Sequence, residues 1–383
     1  MSSDFPKLRI AHVVAVYSQD GAYGGPTRVA FAQAKQLARS GHDVTVFAGW
    51  MGEGNPPTRI DGLPVVLRRV RRVMPKVGFA GLIAPGLWRA IRRRLTEFDI
   101  VHVHLARDLI TMPIARVAAE SDVRLILQTH GMIVRSANPL ALPIDRTMTR
   151  HVLRKAARVL TLTEEESVEL ANIAKFPVPT EVLDNGVSLP EIANRPYPTA
   201  REVIFLARLH ARKRPAAFVA AAIDLAPSWP DVTFTLVGPD GGEAAAVVEQ
   251  IRLSGVAGDQ IRWTGPAAPD EVIERISRAE IYVLPAIAEP FGLTLLEAMS
   301  AGVPVVLGQK STLASVISEA DAGRVFDESP GSLASAIESF LRDPDAATHS
   351  GRNGRRLVES RWSISAVVGK LDEIYAATTR ATW

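Results

Sequence analysis

Cysteine is absent from the 383 residues. That excludes a disulfide framework, a thiolate metal site and a cysteine nucleophile, and it is compatible with a reducing cytosol. Nowhere do about 18 or more apolar residues run unbroken, so no segment is expected to span a bilayer. The opening Met-Ser-Ser-Asp-Phe-Pro-Lys lacks the apolar core of a signal peptide and is expected to lead straight into a strand, which makes the expected location cytoplasmic. Acidic residues are missing from Gly62 to Thr96, where Arg68, Arg69, Arg71, Arg72, Lys76, Arg89, Arg92, Arg93 and Arg94 all fall. Interleaved apolar residues such as Val70, Phe79, Leu87, Trp88 and Ile91 leave two readings open. The segment 62–96 either touches an anionic membrane as a peripheral contact, or it is an arginine-rich helix packed on its own sheet. A nucleic-acid partner is not expected, because aromatic interleaving and a reader motif are missing.

The remainder of the composition is that of a globular protein. With 47% hydrophobic residues and a net charge of +3, the chain can bury substantial cores. At this length it should divide into two domains, since single cores rarely grow past about 250–300 residues. Apolar strands alternate with helical patterns twice along the chain. The first series includes Leu8–Val16, Val44–Ala48, Ile100–His104, Leu125–Thr129 and Arg158–Leu162. The second includes Val203–Leu206, Thr233–Val237, Ile261–Trp263, Ile281–Leu284 and Val303–Leu307. Such alternation predicts an α/β fold with parallel sheets covered on both faces. The proline-bearing stretch around Pro190, Pro196 and Pro198 separates the two series. The expected division is a first Rossmann-like domain over 1–187, a linker over 188–200, a second Rossmann-like domain over 201–362 and a final helix over 363–383. Two doubly wound halves facing each other would leave a cleft at the carboxyl ends of both sheets, where strand-to-helix turns gather.

The most informative stretch is Glu289-Pro-Phe-Gly-Leu-Thr-Leu-Leu-Glu-Ala-Met-Ser-Ala-Gly-Val-Pro304. Pro290 and Gly292 favour a bend that places Glu289 on a loop. The run Leu293–Ala301 has helical spacing and stops at Gly302-Val303-Pro304, so Glu297 lies about one turn inside a helix. A helix N-terminus can receive phosphate, and here one carboxylate stands at its lip with another behind it.

This block is similar to the signature of the family 4 retaining glycosyltransferases, which have the two-domain GT-B architecture. The resemblance extends through the chain. After the first strand, Gly21-Ala-Tyr-Gly24-Gly25-Pro26 resembles the family's Gly-Gly loop near donor phosphate and acceptor. Ala207-Arg208-Leu209, followed by Lys213, resembles the family's diphosphate grip, although Ala207 stands where the family has Gly. Two fixed cations suit a departing diphosphate: at ~4 Å and an effective dielectric of ~20, each pair is worth roughly 4 kcal/mol before desolvation. Gln128-Thr129-His130-Gly131 resembles the turn that carries the family's cleft histidine, near the transferred sugar. Gly238-Pro-Asp-Gly-Gly and Trp263-Thr-Gly265-Pro fit the loops near the nucleotide. Asp184-Asn185-Gly186-Val187-Ser188 is similar to an Asn-Gly-Val element, with Asp184 and Ser188 as departures. The expected chain end crosses back onto the first domain.

The resemblance implies a retaining transfer of a sugar from a UDP- or GDP-linked donor to a hydroxyl of a glycan, lipid-linked or small-molecule acceptor, in cell-envelope or polysaccharide synthesis. His130, Glu289, Arg208 and Lys213 would carry the chemistry. Gly24, Gly25, Gly238, Gly265, Phe291, Gly292, Leu293, Thr294 and Glu297 would hold the donor. No cofactor and no metal are expected, since the cations serve the diphosphate. His102 and His104 share a strand face but show no third ligand at convincing spacing, and their strand has a structural character. Two other readings share the fold: a sugar-nucleotide epimerase, and a non-catalytic sugar-nucleotide-binding subunit.

Overall fold

The computed structural model describes residues 6–18, 24–74, 78–136, 138–139, 141–191, 201–256, 260–268, 271–287, 289 and 291–380. They fall into two units, residues 1–186 with 364–383, and residues 187–363. Gly21, Ala22, Tyr23, Lys76, Pro290, Pro196 and Pro198 lie outside the described residues.

In the first unit the strands are β1 (Arg9–Ser18), β2 (Asp43–Met51), β3 (Arg59–Ile60), β4 (Leu63–Arg69), β5 (Arg71–Arg72), β6 (Leu82–Ile83), β7 (Ile100–His104), β8 (Arg124–Gln128), β9 (Arg158–Thr161) and β10 (Thr180–Val182). Eight of them form one sheet in the order β10-β9-β8-β7-β1-β2-β4-β3, with β5 and β6 as a separate pair. All neighbours in the large sheet run parallel except β3 and β4. Side chains alternate between faces along each strand. Ile10 and Val14 pack under the helices Gly24–Arg39 and Ile364–Arg380, with Ala34, Leu37, Leu371 and Ile374. Ala11 and Val13 point the other way, toward Leu87, Ile91, Met112 and Val152. Burial on both faces explains why these strands read as near-continuous apolar runs. The last helix therefore belongs to the first unit.

The second unit holds β11 (Arg201–Leu206), β12 (Val232–Val237), β13 (Ile261–Trp263), β14 (Ile281–Leu284), β15 (Val305–Gly308) and β16 (Gly323–Phe326). They form a fully parallel sheet in the order β13-β12-β11-β14-β15-β16. Val203, Phe205, Phe218, Phe234, Ile337 and Phe340 are central to the core on one face. In each unit the chain reverses its direction of winding at a central strand. The reversal lies beside β1, between β2 and β7, and beside β11, between β12 and β14. Crevices at the carboxyl ends of strands open at such points, and ligands of doubly wound sheets bind there.

Within the basic stretch a strand and a short helix alternate. Residues 63–69 are a strand, with Leu63, Val65 and Leu67 buried against β2, and among the described residues of the stretch only Pro85–Arg94 is an α-helix. That helix directs Leu87 and Ile91 into its own core, leaving Arg89, Arg92 and Arg93 exposed. The short helix Ala314–Glu319 and β16 fill a stretch whose sequence carries no clear period.

Candidate active site

In the second unit the switch point brings together the turns after β11 and β14. After β11 the chain passes Arg208 and makes a tight turn over Ala211–Lys213. His210 Nδ1 accepts the Arg212 N–H in that turn, and Arg214 adopts φ 53 before Pro215 opens the next helix. The Ile287 N–H donates to the Arg212 carbonyl at 2.9 Å, which ties this turn to the loop leaving β14. The tie has a chemical consequence. Lys213 Nζ and a Glu289 carboxylate oxygen are in direct contact, with both side chains largely withdrawn from solvent.

Beyond Glu289, Gly292 closes the turn into the helix Leu293–Ser300. A Cβ at Gly292 would stand 3.1 Å from Leu284 Cδ2 and 3.5 Å from Glu289 Cγ, so glycine lets the turn fold down beside the carboxylate. No side chain caps this helix, and the N–H groups of Leu293 and Thr294, at its first two positions, have no intrahelical acceptor to reach. Glu297 is buried one turn further in. Tyr282, at the heart of β14, donates to Thr294 Oγ1 at 2.6 Å. Burial pushes its phenol far above the usual range, and the charges of Glu297 and Glu289 push it further. One buried hydroxyl thus senses both carboxylates.

Arg208 is exposed at the end of β11, with its stem laid across the loop after β12: a Cβ at Gly241 would stand 2.8 Å from Arg208 Cγ. Gly238 adopts φ 150, and a Cβ there would meet the Ala207 carbonyl oxygen at 2.0 Å, so only glycine fits. Its N–H donates to the Gly265 carbonyl at 2.8 Å, and Trp263 Nε1 donates to the Gly238 carbonyl at 2.9 Å. The two glycine loops are thereby joined at the same sheet edge as Arg208. Phe291 behaves differently. Its ring is buried edge-on against Trp362, centroids 6.3 Å apart, so its side chain serves the unit's own packing.

In the first unit the helix after β1 begins at Gly24, and a Cβ at Gly25 would meet nothing within 4 Å. Packing does not demand glycine at position 25. His130 follows β8 and adopts φ 50, with Gly131 at φ 70. Non-glycine residues rarely hold that conformation without outside support. Glu166 supplies the support: its carboxylate accepts from Thr129 Oγ1 at 2.5 Å, from the Gly131 N–H at 2.7 Å and from the Leu162 N–H at 2.7 Å. Sequence reasoning overlooked Glu166. The signal was the Thr163-x-x-Glu166 pattern of a helix start, realised here as a Thr163 cap on the Glu166 N–H.

His130 is also the outer member of a buried histidine row. The parallel register sets His12 opposite His102, and His104 follows two residues on, on the same face. His12 Nδ1 lies 3.1 Å from His104 Nε2, and His104 Nδ1 lies 2.7 Å from His130 Nε2. Tyr375, from the last helix, contacts His102 Nδ1 at 2.7 Å and His12 Nε2 at 3.3 Å. Burial drives the His12 and His130 rings down to about 3, against a weaker opposing pull from Asn185 on His130. His102 falls well below its ordinary value through burial and then the charges of His12 and His130, against a weaker opposing pull from Gln128, and His104 does so through burial and then the charges of His102, His130 and His12. All four are neutral at pH 7. The fold therefore adds His12 to the two histidines visible in the strand. Candidate ligand nitrogens of His12, His102 and His104 lie within 4.8 Å of one another. Among the described residues no carboxylate joins this trio, so from them a dication there would gain no counter-charge.

Comparison with known proteins bears on what these turns belong to. The profile described as Glycosyltransferase Family 4 matches residues 23–190, and that described as Glycosyl transferases group 1 matches residues 192–357. The chain belongs to the family 4 glycosyltransferases. A glycogen synthase of Mycobacterium tuberculosis is 26% identical over 298 residues, covering 74% of this chain and 69% of the relative. A phosphatidyl-myo-inositol mannosyltransferase of Mycolicibacterium smegmatis is 26% identical over 388 residues, covering 96% and 94%. Among solved structures, sucrose-phosphate synthase from Thermosynechococcus elongatus matches with a TM-score of 0.77 at 20% identity, covering 98% of this chain and all of the other. The HepE protein of Anabaena with UDP and glucose matches at 0.72 and 19%, covering 97% and 100%. These neighbours establish the GT-B fold of the glycosyltransferase. No helix among its described residues is long and apolar enough to cross a membrane.

Proposed function

We propose that this glycosyltransferase takes a sugar from a nucleotide-diphosphate donor and transfers it, with retention of anomeric configuration, to a hydroxyl of a glycan, lipid-linked or small-molecule acceptor. The observation that carries the reading is the Lys213–Glu289 contact at the switch point, beside the uncapped start of the helix Leu293–Ser300. Arg208, Lys213 and the Leu293 and Thr294 N–H groups bind the diphosphate. Glu289 holds hydroxyls of the transferred sugar, and the buried Glu297 accepts from the ribose hydroxyls. His130 contacts the sugar, while Gly24 and Gly25 leave backbone open to an anion. The loops of Gly238 and Gly265 border the nucleoside.

In this mechanism the glycosidic bond breaks through an oxocarbenium-like state, and charge gathering on the leaving phosphate is met by fixed donors. The acceptor hydroxyl attacks from the face the phosphate leaves, and its proton passes to a phosphate oxygen. The two side-chain cations supply the charge that a metal supplies elsewhere, so we propose a metal-independent transfer. The names of two similar proteins support the donor class: one relative is a GDP-mannose-dependent mannosyltransferase of Mycobacterium tuberculosis, and one structural neighbour holds UDP. A relative named as a phosphatidyl-myo-inositol mannosyltransferase supports an envelope or glycolipid setting. Contact with anionic lipid would rest chiefly on exposed arginines, because Leu87 and Ile91 of the helix Pro85–Arg94 are already buried in the first unit's core.

The test is a panel of UDP- and GDP-sugars with mixed hydroxyl acceptors, the product anomer being assigned by NMR. Transfer with retained configuration supports the reading. A donor epimerised without transfer makes the chain an epimerase. Binding with neither outcome, across the panel, makes it a non-catalytic subunit.

A further inference from the structure

We propose that the first unit carries an apolar pocket for the acceptor, one that takes a neutral hydrocarbon group attached to the acceptor's hydroxyl-bearing part. The inference rests on the reading of this chain as a transferase to hydroxyl acceptors and names the chemistry of the group beside that hydroxyl.

A cavity of about 220 Å³ lies among the segments that follow β7 and β8. Arg107, Asp108 and Leu109 reach it from the turn after β7, and Ser136 from the loop that follows His130. Met112, on the helix Thr111–Ala119, and Ala141, Ile144 and Met148, on the helical stretch 141–155, supply apolar wall. Met74 and Ala80 close it from between β5 and β6. Packed interiors hold few voids larger than a water molecule, so a space of this size at the carboxyl edge of a sheet is a ligand site.

The charges around the cavity select what enters. Arg107 donates through Nε and Nη2 to the two Asp145 oxygens, at 2.8 and 3.0 Å, and through Nη1 to the Val134 carbonyl at 2.8 Å. Asp108 accepts from the Ile110 N–H at 2.7 Å, and from the Thr111 N–H and hydroxyl at 2.6 Å each. Arg107 is the one cation among the described lining residues, and Asp145 already matches its charge. A phosphate or carboxylate would gain no counter-ion there, whereas a neutral group displaces nothing.

The wall is suited to hydrocarbon. Three of the chain's seven methionines, Met74, Met112 and Met148, line it, and unbranched thioether side chains adapt to varied apolar shapes. Three of the eight exposed large apolar side chains among the described residues stand on or beside the lining: Leu109 on it, Val73 and Leu142 next in sequence to Met74 and Ala141. Apolar exposure gathered beside one cavity marks a binding surface, unlike the same residues scattered singly. Size limits the guest. A dry apolar cavity of about 150 Å³ takes benzene, so this one fits a ring with a short substituent or an alkyl chain of about eight carbons. The Arg107 bond to Val134 ties the loop that follows His130 to the cavity wall. A hydrocarbon seated there leaves the rest of the acceptor at the sheet edge that carries His130.

The experiment uses the full chain with 13C in its methionine methyl groups, titrated with benzyl alcohol, hexanol and octanol as neutral apolar probes. Glycerol is the polar hydroxyl control and benzyl phosphate the anionic one. The methyl signals of Met74, Met112 and Met148 should shift together and saturate with the apolar probes, while that of Met299, in the second unit, stays in place. Affinity should rise by up to about fourfold for each methylene added between hexanol and octanol. Ala141→Phe and Ile144→Trp fill the cavity and should lose these shifts, each variant being checked for an intact fold by thermal melting. Transfer is then measured with pairs of acceptors that differ only in a methyl or an octyl aglycone. In the wild type the octyl member should be favoured by about tenfold or more in kcat/KM, and in both variants the pair should come close to parity with donor hydrolysis unchanged. Unmoved methionine methyls, shifts matched by glycerol, or tighter binding of benzyl phosphate overturns the proposal. So does equal use of methyl and octyl acceptors by the wild type, or an octyl preference that survives in both folded variants. If no nucleotide-sugar is bound or turned over, the transferase reading fails instead, and the methyl shifts still decide whether hydrocarbon enters the cavity.

Discussion

Lys213 and Glu289, 76 residues apart in sequence, meet in a direct ion pair that joins the turn after β11 to the loop after β14. The pair spans the switch point of the second sheet. Each partner orients the other, so that a cation and a carboxylate stand side by side, as the proposed grip on phosphate and sugar requires. Lys213→Ala and Glu289→Ala should each lower transfer by about 100-fold or more, the scale of losing a preorganised charge in a site of this kind. Both side chains keep some solvent contact, so the fold should lose only about 1 kcal/mol. Steady-state kinetics beside urea unfolding checks both halves.

Glu166 should matter for a different reason. It accepts three hydrogen bonds that shape the His130 turn, and its removal strands two backbone N–H groups and a hydroxyl. Glu166→Ala should cost about 3 kcal/mol of stability, with Glu166→Gln in between, because each stranded buried donor costs about 1–3 kcal/mol and neighbours relax in part. Chemical denaturation measures it. Wild-type stability in Glu166→Ala would show that the turn does not depend on this carboxylate.

The buried histidine row predicts a pH dependence. The folded His12 ring sits at about 3, against about 6.5 for an unfolded histidine. Below pH 6.5 the unfolded chain binds a proton that the folded chain refuses, so stability falls as pH drops from about 6.5 toward 3. The slope is about 1.4 kcal/mol per pH unit for each such histidine. His12→Asn should flatten the curve by about one proton across that window. Unfolding free energies at a series of pH values, for wild type and variant, give the difference directly. Parallel curves would contradict the assignment of His12 as a buried neutral ring.

The exposed arginines of the first unit set a modest expectation for lipid. With Leu87 and Ile91 buried, attraction to anionic vesicles should come from Arg69, Arg71, Arg72, Arg92 and Arg93. It should fade as salt shortens the Debye length from about 10 Å toward 3 Å. Co-sedimentation with anionic and neutral vesicles at two salt concentrations checks it, and equal binding to both vesicle types would remove lipid charge from the account.

Much of the architecture was legible because parallel strands buried on both faces leave apolar runs, and glycines mark the turns that follow them. The helix start at Gly292 and the strand ends before Arg208 and His130 could be read this way, whereas Lys213 closes a tight turn ahead of the helix that starts at Pro215. What could not be read depended on register and on distant packing. His12 joins His102 and His104 only because β1 pairs with β7 in one particular register, and Tyr375 reaches them from the far end of the chain. The strand Leu63–Arg69 was hidden by its charge: arginines ending a half-buried alternation look like the polar face of a helix. Phe291 shows packing that no motif announces: its ring lies edge-on against Trp362.

The central claim is that Arg208, Lys213, Glu289 and Glu297 grip one nucleotide-sugar. Thermal unfolding of the wild type across a panel of UDP- and GDP-sugars tests it most directly. A donor at about 100 times its Kd stabilises the folded chain by about 2.7 kcal/mol, a shift of a few degrees. One donor class should raise the wild-type midpoint in this way, and Arg208→Ala, Lys213→Ala and Glu297→Ala should each lose most of the shift. No shift with any donor, or an undiminished shift in all three variants, would contradict the account.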